Sequence, residues 1–435
     1  MATTVGLIGI VVLLLLLALR FPIGFSLGSV SVVGIWILRG SNAAMGAIAT
    51  APYDFVAGWS MSAVPMFILM GTVAYHSGLT NSLYRATRLW LSRLPGGLAV
   101  ASTAACALFA AASGSSVATA SAMGQITIPE MLRYKYDKGL ATGCVAAAGT
   151  LGSLIPPSIL MIVYAIFAEV SIGKMLIAGI LPGILSAIVF STMIVVRCKL
   201  NPRLAPPITE EITWAQRFEV LKSVWPLPVL VIGVLGGIYS GVFTPTEAGA
   251  GGAFIALMIA AVQRRLTWKV FKVSVLDSLK ATSTIFFIAI GAILLTRFMT
   301  FSGIPGVMKS IMSDYALDPT LLIILTSIIY IILGMFLDSL GLMLLTMPVI
   351  LPLFEAAHAD LIWFGVLIIK YLEIGLITPP VGLNVYVIKS VVGDQIKLET
   401  IFRGVLWFVV ADIVTLTILI SFPIISLYLP SLMAN

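Results

Sequence analysis

Apolar stretches separated by short polar loops fill most of the chain, and runs of about 17 to 25 such residues have the length of a membrane-spanning helix. They fall near residues 4–19, 22–38, 60–78, 141–168, 175–196, 225–241, 245–262, 281–301, 362–388 and 404–430, which predicts ten crossings. Two further apolar pairs lie near 98–128 and 319–352, each interrupted midway by polar residues: Ser113-Gly114-Ser115-Ser116 in the first and Asp338-Ser339 in the second. A segment that begins and ends on one side of a membrane with a small polar tip between its arms is a re-entrant helical hairpin.

Two doubled prolines stand where uninterrupted helices are expected, Pro156-Pro157 and Pro379-Pro380, and 379 − 156 = 223. The same offset of 223 carries Pro129 onto Pro352 and Gly152 onto Gly375. Leucines and isoleucines align by chance in apolar sequences; prolines and glycines, which fix or free the backbone, do so less readily. The pattern predicts an all-α polytopic membrane protein of two repeats, each with a hairpin and a discontinuous Pro-Pro helix. The first spans 1–200 (hairpin 98–128, broken helix 141–168) and the second 225–435 (hairpin 319–352, broken helix 362–388). Between them, residues 201–224 place Trp214, Phe218, Leu221 and Val224 or Trp225 at helical spacing, an interfacial amphipathic helix or a plain linker.

Composition agrees with the membrane reading: 60% of the 435 residues are hydrophobic and 10% charged, against about 25% charged in soluble proteins. The net charge of +7 does not point to nucleic acid, because the basic residues sit in short loops between spans, as the positive-inside rule requires. Arg85, Arg88 and Arg93 before the first hairpin and Arg133, Lys135 and Lys138 after it put both its ends inside; the second hairpin, flanked only by Lys309, has both ends outside. On that path the first broken helix runs outward and the second inward, so the repeats are inverted. Residues 5–19 lack a basic leader and a cleavage site and read as a retained span. Cys106, Cys144 and Cys198 lack metal-ligand spacing, and His76 and His358 have no ligand cluster around them in the sequence.

Candidate chemistry gathers at the tips and the breaks. Ser113, Ser115, Ser116, Thr119 and Ser121 supply hydroxyls around Gly114, and such a tip suits either a hard cation such as Na⁺ or small-residue helix packing. Gly149, Thr150, Gly152 and Ser153 precede Pro156, and proline displaces Ile155 from helical geometry, freeing carbonyls for a cation or leaving a structural kink. The repeat predicts a second such site between the 334–339 tip and Gly375, Thr378 and Val381. Among charges at membrane depth, Asp338 is expected to line a cavity. Arg297 is either a counter-charge for an anionic substrate or a side chain reaching the outer interface. Glu373 and Glu247 are read as opening helices, without a carboxylate partner at useful spacing. No P-loop or HExxH occurs, so ATP hydrolysis and zinc-protease chemistry lack their parts.

The segments 64–71 (VPMFILMG), 113–131 (SGSSVATASAMGQITIPEM), 149–159 (GTLGSLIPPSI), 244–253 (TPTEAGAGGA), 334–352 (GMFLDSLGLMLLTMPVILP) and 377–388 (ITPPVGLNVYVI) resemble the large membrane subunit of TRAP (tripartite ATP-independent periplasmic) transporters, the C4-dicarboxylate-permease type. The resemblance implies an elevator-type ion-transporter-superfamily fold in a bacterial inner membrane and Na⁺-coupled uptake of a small organic anion, usually a carboxylate. It implies two partners as well, a periplasmic substrate-binding protein and a small four-helix membrane subunit. Carried over by position, one Na⁺ site involves Ser113, Gly114 and Ser116 with Gly149, Gly152 and Ile155. The other involves Gly334 and Asp338 with Gly375, Thr378 and Val381, and substrate lies near Ser115, Ser116, Asp338, Thr378 and Asn384. A stand-alone Na⁺/dicarboxylate transporter of the same superfamily is the nearest alternative, an intramembrane enzyme using Asp338 and Glu373 a more distant one.

Overall fold

With so little polar sequence available, the backbone satisfies its hydrogen bonds locally, and every regular element among the described residues is helical. The computed structural model describes residues 1–207, 212–307, 310 and 319–433, with the backbone alone at 79–81 and 319; Lys309 and residues 208–211 of the linker lie outside the described residues. Among the described residues, six helices are long and apolar enough to cross a membrane, seven when the bent pair Ser41–Val56 and Trp59–His76 counts as one. Ala2–Ala18 and Ile23–Arg39, at 17 residues each, fall just short of that length.

Both predicted hairpins are present, as Gly97–Ser113 with Ser116–Arg133 and as Pro319–Gly334 with Ser339–Ala356. Both Pro-Pro helices are broken, into Lys138–Thr150 and Ile159–Phe167 and into Leu361–Ile377 and Leu383–Val392. Caps mark the helix starts at the 223 offset: Ser115 and Asp338 begin the second hairpin arms, accepting from the amides of Ala118 (3.4 Å) and Gly341 (2.9 Å). Asp137 and Asp360 likewise cap the broken helices, accepting from Leu140 (2.9 Å) and from Ile362 and Trp363 (2.8 and 3.0 Å).

Three predicted spans differ from the structure. Ser41–Val56 is a helix ahead of the expected 60–78 span, bent by 59° against its continuation; its small residues and Pro52 make it too weakly apolar to stand out. The 281–301 span is the second part of a 35-residue helix, Trp268–Ser302, whose first part carries Lys269, Lys272, Asp277 and Lys280. The 404–430 span divides into Leu398–Ser421 and Ile424–Ser431 around Phe422-Pro423. The linker does form a helix, Trp214–Val224, started by a Thr213/Gln216 capping box. Trp214 and Phe218 point outward from it and meet Trp90 edge-on, with ring centroids 6.4 and 6.1 Å away.

The first hairpin and the broken helices supply most of the buried centre, while Pro319–Gly334 of the second hairpin leaves Leu321, Ile324, Leu325, Ile328, Ile329 and Ile332 exposed. Residues 139–150 are all buried, as are 364–377, whereas Leu7, Ile8, Val11, Phe254, Met258, Trp407 and Val410 on outer helices stay exposed for lipid. Lys138–Thr150 consists largely of small residues, and this lets Leu398–Ser421 approach to backbone contact. A Cβ added at Gly404 would stand 2.0 Å from the Gly139 carbonyl oxygen, and one at Gly143 would stand 2.5 Å from the Gly404 carbonyl carbon. The two broken helices are also joined directly, by Tyr164 Oη donating to the Leu361 carbonyl at 2.6 Å. Gly404→Ala is expected to cost about 1–3 kcal/mol by overpacking, read as a lower melting temperature in detergent. Gly46→Ala, where nothing lies within 4 Å of the new Cβ, should leave it unchanged or slightly raised.

Candidate transport site

At the first tip, Gly114 ends one hairpin arm with φ of +62°, and Ser115, in extended conformation, starts the next. The left-handed turn brings the tip onto the break of the first broken helix: a Cβ on Gly114 would lie 2.5 Å from the Pro157 carbonyl oxygen. The Ile159 amide donates to the Gly114 carbonyl at 3.3 Å, so the first amide of Ile159–Phe167 is satisfied by the tip. Ser113 Oγ pairs with Thr119 Oγ1 at 2.7 Å, Ser116 Oγ with Ser153 Oγ, and Ser158 Oγ donates to the Ser153 carbonyl. Gly152 and Gly149 allow this approach, since Cβ atoms there would meet the Ser115 carbonyl oxygen at 2.5 Å and the Ala120 Cβ at 2.6 Å. Ser113, Gly114, Ser116, Gly149 and Gly152 are thus brought together. Ile155 belongs to the same break, but its side chain faces Gly183 and an apolar crevice next to Ile180–Leu200.

The second tip makes the corresponding contact. A Cβ on Gly334 would meet the Gly375 Cα at 3.1 Å, so the end of one hairpin arm rests directly on the second broken helix. Thr378 ends Leu361–Ile377, with its hydroxyl donating to the Ile374 carbonyl at 2.6 Å and its amide to Gly375 at 3.2 Å. Val381 follows the prolines and is partly exposed. Asn384 is fully buried, its amide donating to the Ala146 carbonyl of the first broken helix at 3.1 Å and its Oδ1 left without a partner. Both proline pairs are joined by cis bonds.

Between the tips lies a cavity of about 590 Å³. Gly114, Ser115, Ser116 and Ser153 line one side, Asp338 and Ser339 another, and Asp277, Lys280 and Thr284 of Trp268–Ser302 a third. Thr378, Val381, Asn384 and Arg297 are outside its wall. Arg297 binds Thr50 Oγ1 at 3.0 Å and faces Asp54 at 3.7 Å, joining the long helix to Ser41–Val56, and lines no part of the cavity.

Sequence reasoning missed Lys280 and Asp277, because their charges read as a polar loop before the 281–301 span. It also missed the partner of His76, whose Nε2 lies 2.9 Å from Asp277 and links Ala63–His76 to the long helix. Glu373 does not open its helix. It lies within the last turns of Leu361–Ile377, fully buried against Lys370, with Asp412 across the helix interface. Only the i,i+3 spacing of Lys370 and Glu373 was available as a signal.

The donors at both tips are hydroxyls, backbone carbonyls and a carboxylate in glycine-made recesses, a set that fits a hard monovalent cation and offers no soft ligand. The cavity adds one ammonium, from Lys280, and the Asp338-capped start of Ser339–Ala356.

Residues 10–425 match the family model described as "Tripartite ATP-independent periplasmic transporter, DctM component". The C4-dicarboxylate TRAP transporter large permease protein DctM of Pseudomonas aeruginosa is 36% identical over 374 residues, 86% of each chain. The sialic acid TRAP transporter large permease protein SiaM of Vibrio cholerae is 30% identical, with 96% of each chain covered. Among solved structures, the Alcanivorax borkumensis YdaH transporter superposes with a TM-score of 0.59 at 13% identity, over 89% of this chain and 88% of that one, a likeness of fold.

Gly114→Ala would force a side chain into a left-handed position and against the Pro157 carbonyl. A loss of at least about 1–2 kcal/mol at the tip is expected. Hydrogen exchange should show it as faster exchange at Ile159 and residues 116–119, with Lys138–Thr150 amides unaffected.

Proposed function

The chain belongs to the family of the DctM component of tripartite ATP-independent periplasmic transporters, and on that premise we propose that it imports a small organic anion in symport with Na⁺. It is a multi-pass membrane permease and not an enzyme. In this reading it sits in a bacterial inner membrane, pairs with a small four-helix membrane subunit and receives its anion from a periplasmic binding protein. A carboxylate of the C4-dicarboxylate or sialic acid type is the proposed substrate class, in keeping with the names its relatives carry.

The observation that carries the proposal is the cavity between two hairpin tips, each seated on a broken helix. Two cation sites are assigned by analogy of position. Ser113, Gly114 and Ser116 with Gly149, Gly152 and the backbone of Ile155 form one, and Gly334, Asp338, Gly375, Thr378 and Val381 the other. A cation at either site ties tip to helix, so the pocket between the tips is ordered only when the sites are filled; this makes anion binding depend on Na⁺. The anion then meets the hydroxyls of Ser115 and Ser116 and the ammonium of Lys280. Asn384 supports the site from behind, through its hold on Ala146, rather than from the cavity wall. Arg297 takes no part in this reading.

We further read the chain as two inverted halves, 1–200 and 225–435, with the 201–224 segment connecting them. The recurrence of hairpin, cap and break at the 223 offset supports this. Hairpins and broken helices would move together as an elevator against the remaining helices, carrying the filled site across.

Uptake into proteoliposomes holding this chain, the small subunit and the binding protein tests the assignment. Ser116→Ala and Thr378→Ala should each raise the Na⁺ concentration for half-maximal uptake roughly tenfold, equivalent to ~1.4 kcal/mol, with substrate affinity falling in parallel. Lys280→Gln should raise the KM for the anion about fivefold, near 1 kcal/mol for a partly exposed charge, without altering Na⁺ dependence. Wild-type Na⁺ dependence in both alanine variants would refute the cation sites. Undiminished transport without binding protein and small subunit would favour a stand-alone transporter.

A further inference from the structure

Among the described residues, three charged side chains line the cavity, and two of them are acids: Asp277 and Lys280 on the long helix and Asp338 at the second tip. Asp277 and Lys280 stand three residues apart and both reach the cavity, so they share one face of Trp268–Ser302, about one turn from each other. Asp277 is held in place there. His76 Nε2 lies 2.9 Å from its Oδ2, and one turn earlier on Ala63–His76 the Thr72 hydroxyl ties the same two helices together, 2.8 Å from Ser278 Oγ and 3.2 Å from the Ser274 carbonyl oxygen. Lys280, by contrast, makes no ion pair with a described residue.

A carboxylate seated on Lys280 and the Ser115 and Ser116 hydroxyls therefore has a fixed negative charge one helical turn away. A second carboxylate on the same solute finds no counterpart. Toward Asp277 or Asp338 it meets like charge. Beyond the tip hydroxyls the wall is largely apolar, through Ile159, Leu160, Ile285, Ile288, Leu340 and Leu376, where a carboxylate loses hydration without gaining a partner. The charge balance closes in the same way: a cation at each tip, together with Lys280, outweighs Asp277 and Asp338 by one, which is the charge of a single carboxylate.

We propose, resting on the transport reading of this cavity given above, that Asp277 determines substrate charge: the site takes an organic anion with one carboxylate and discriminates against a second. Asp277 acts without binding the solute, as a fixed negative charge beside the one free ammonium of the wall, and His76 is the side chain that keeps it there. This narrows the proposed substrate class to its singly charged members.

Succinate and succinamate test this, because they differ only in the replacement of one carboxylate by a neutral amide of nearly the same size. Thr284, which lines the cavity one turn beyond Lys280, is replaced by cysteine in the full-length chain in lipid nanodiscs with NaCl present; Cys106, Cys144 and Cys198 are buried and leave it as the accessible thiol. Mass spectrometry follows its alkylation against rising concentrations of each probe. Succinamate should half-protect the thiol at a concentration about fivefold below that of succinate, a modest ratio because the Asp277 side chain is 45% exposed. Adding Asp277→Asn should bring the two probes to within about twofold of each other; should that variant fail to fold, Asp277→Ser removes the same charge and takes its place. Succinate protecting as well as succinamate in the Thr284→Cys chain, or a ratio unchanged once the Asp277 charge is removed, overturns the proposal and leaves the cavity as the anion site. Protection by neither probe overturns both.

Discussion

Peptide groups released where a helix breaks have no water to turn to at membrane depth, and here they find partners across elements instead. The Gly114 carbonyl of the hairpin tip accepts from the Ile159 amide, the Ser153 carbonyl accepts from the Ser158 hydroxyl within the break itself, and at the second tip Gly334 packs directly on Gly375. Every other feature of the centre follows from that need. Glycines and small residues line the tips and breaks because only they allow backbone to reach backbone, and Lys138–Thr150 is small-sided so that Leu398–Ser421 can close over it. The cavity is what remains between two such tip-on-break contacts, with its polar groups already facing inward.

Much of this centre was legible in the sequence, since proline and glycine report backbone geometry directly. Pro156-Pro157 and Pro379-Pro380 located the breaks, the polar tips located the hairpins, and one offset connected them. The tip residues Ser113 to Ser116 and the glycines of both breaks lie where the pattern put them. Less legible were elements whose polarity runs against their depth. Ser41–Val56 is a helix of small residues with a proline, and the first part of Trp268–Ser302 carries enough charge to pass for a loop. For that reason Asp277 and Lys280, which close the third wall of the cavity, could not be seen as part of a site. Arg297 stood out as a lone charge in an apolar run, yet its partner Asp54 lies on the helix that hydropathy passed over.

The same reasoning separates the charges of this protein into two kinds. Asp277 and Lys280 line the cavity, and their distance in sequence from the hairpin tips is bridged only by folding. Lys370, Glu373 and Asp412 meet where nothing enters, from positions 42 residues apart at the extremes (412 − 370), a separation that no local periodicity reveals.

The long helix Trp268–Ser302 has a dimensional consequence. Its 35 residues rise through about 50 Å, against a hydrocarbon thickness of about 30 Å. From position 281 onward its length matches that thickness, and Lys269, Lys272, Asp277 and Lys280 occupy the excess. The helix is therefore a ruler with its charged graduations at one end. Lys280 is the last of them, and it stands in the wall of the cavity, where the charged end of the helix meets its apolar length.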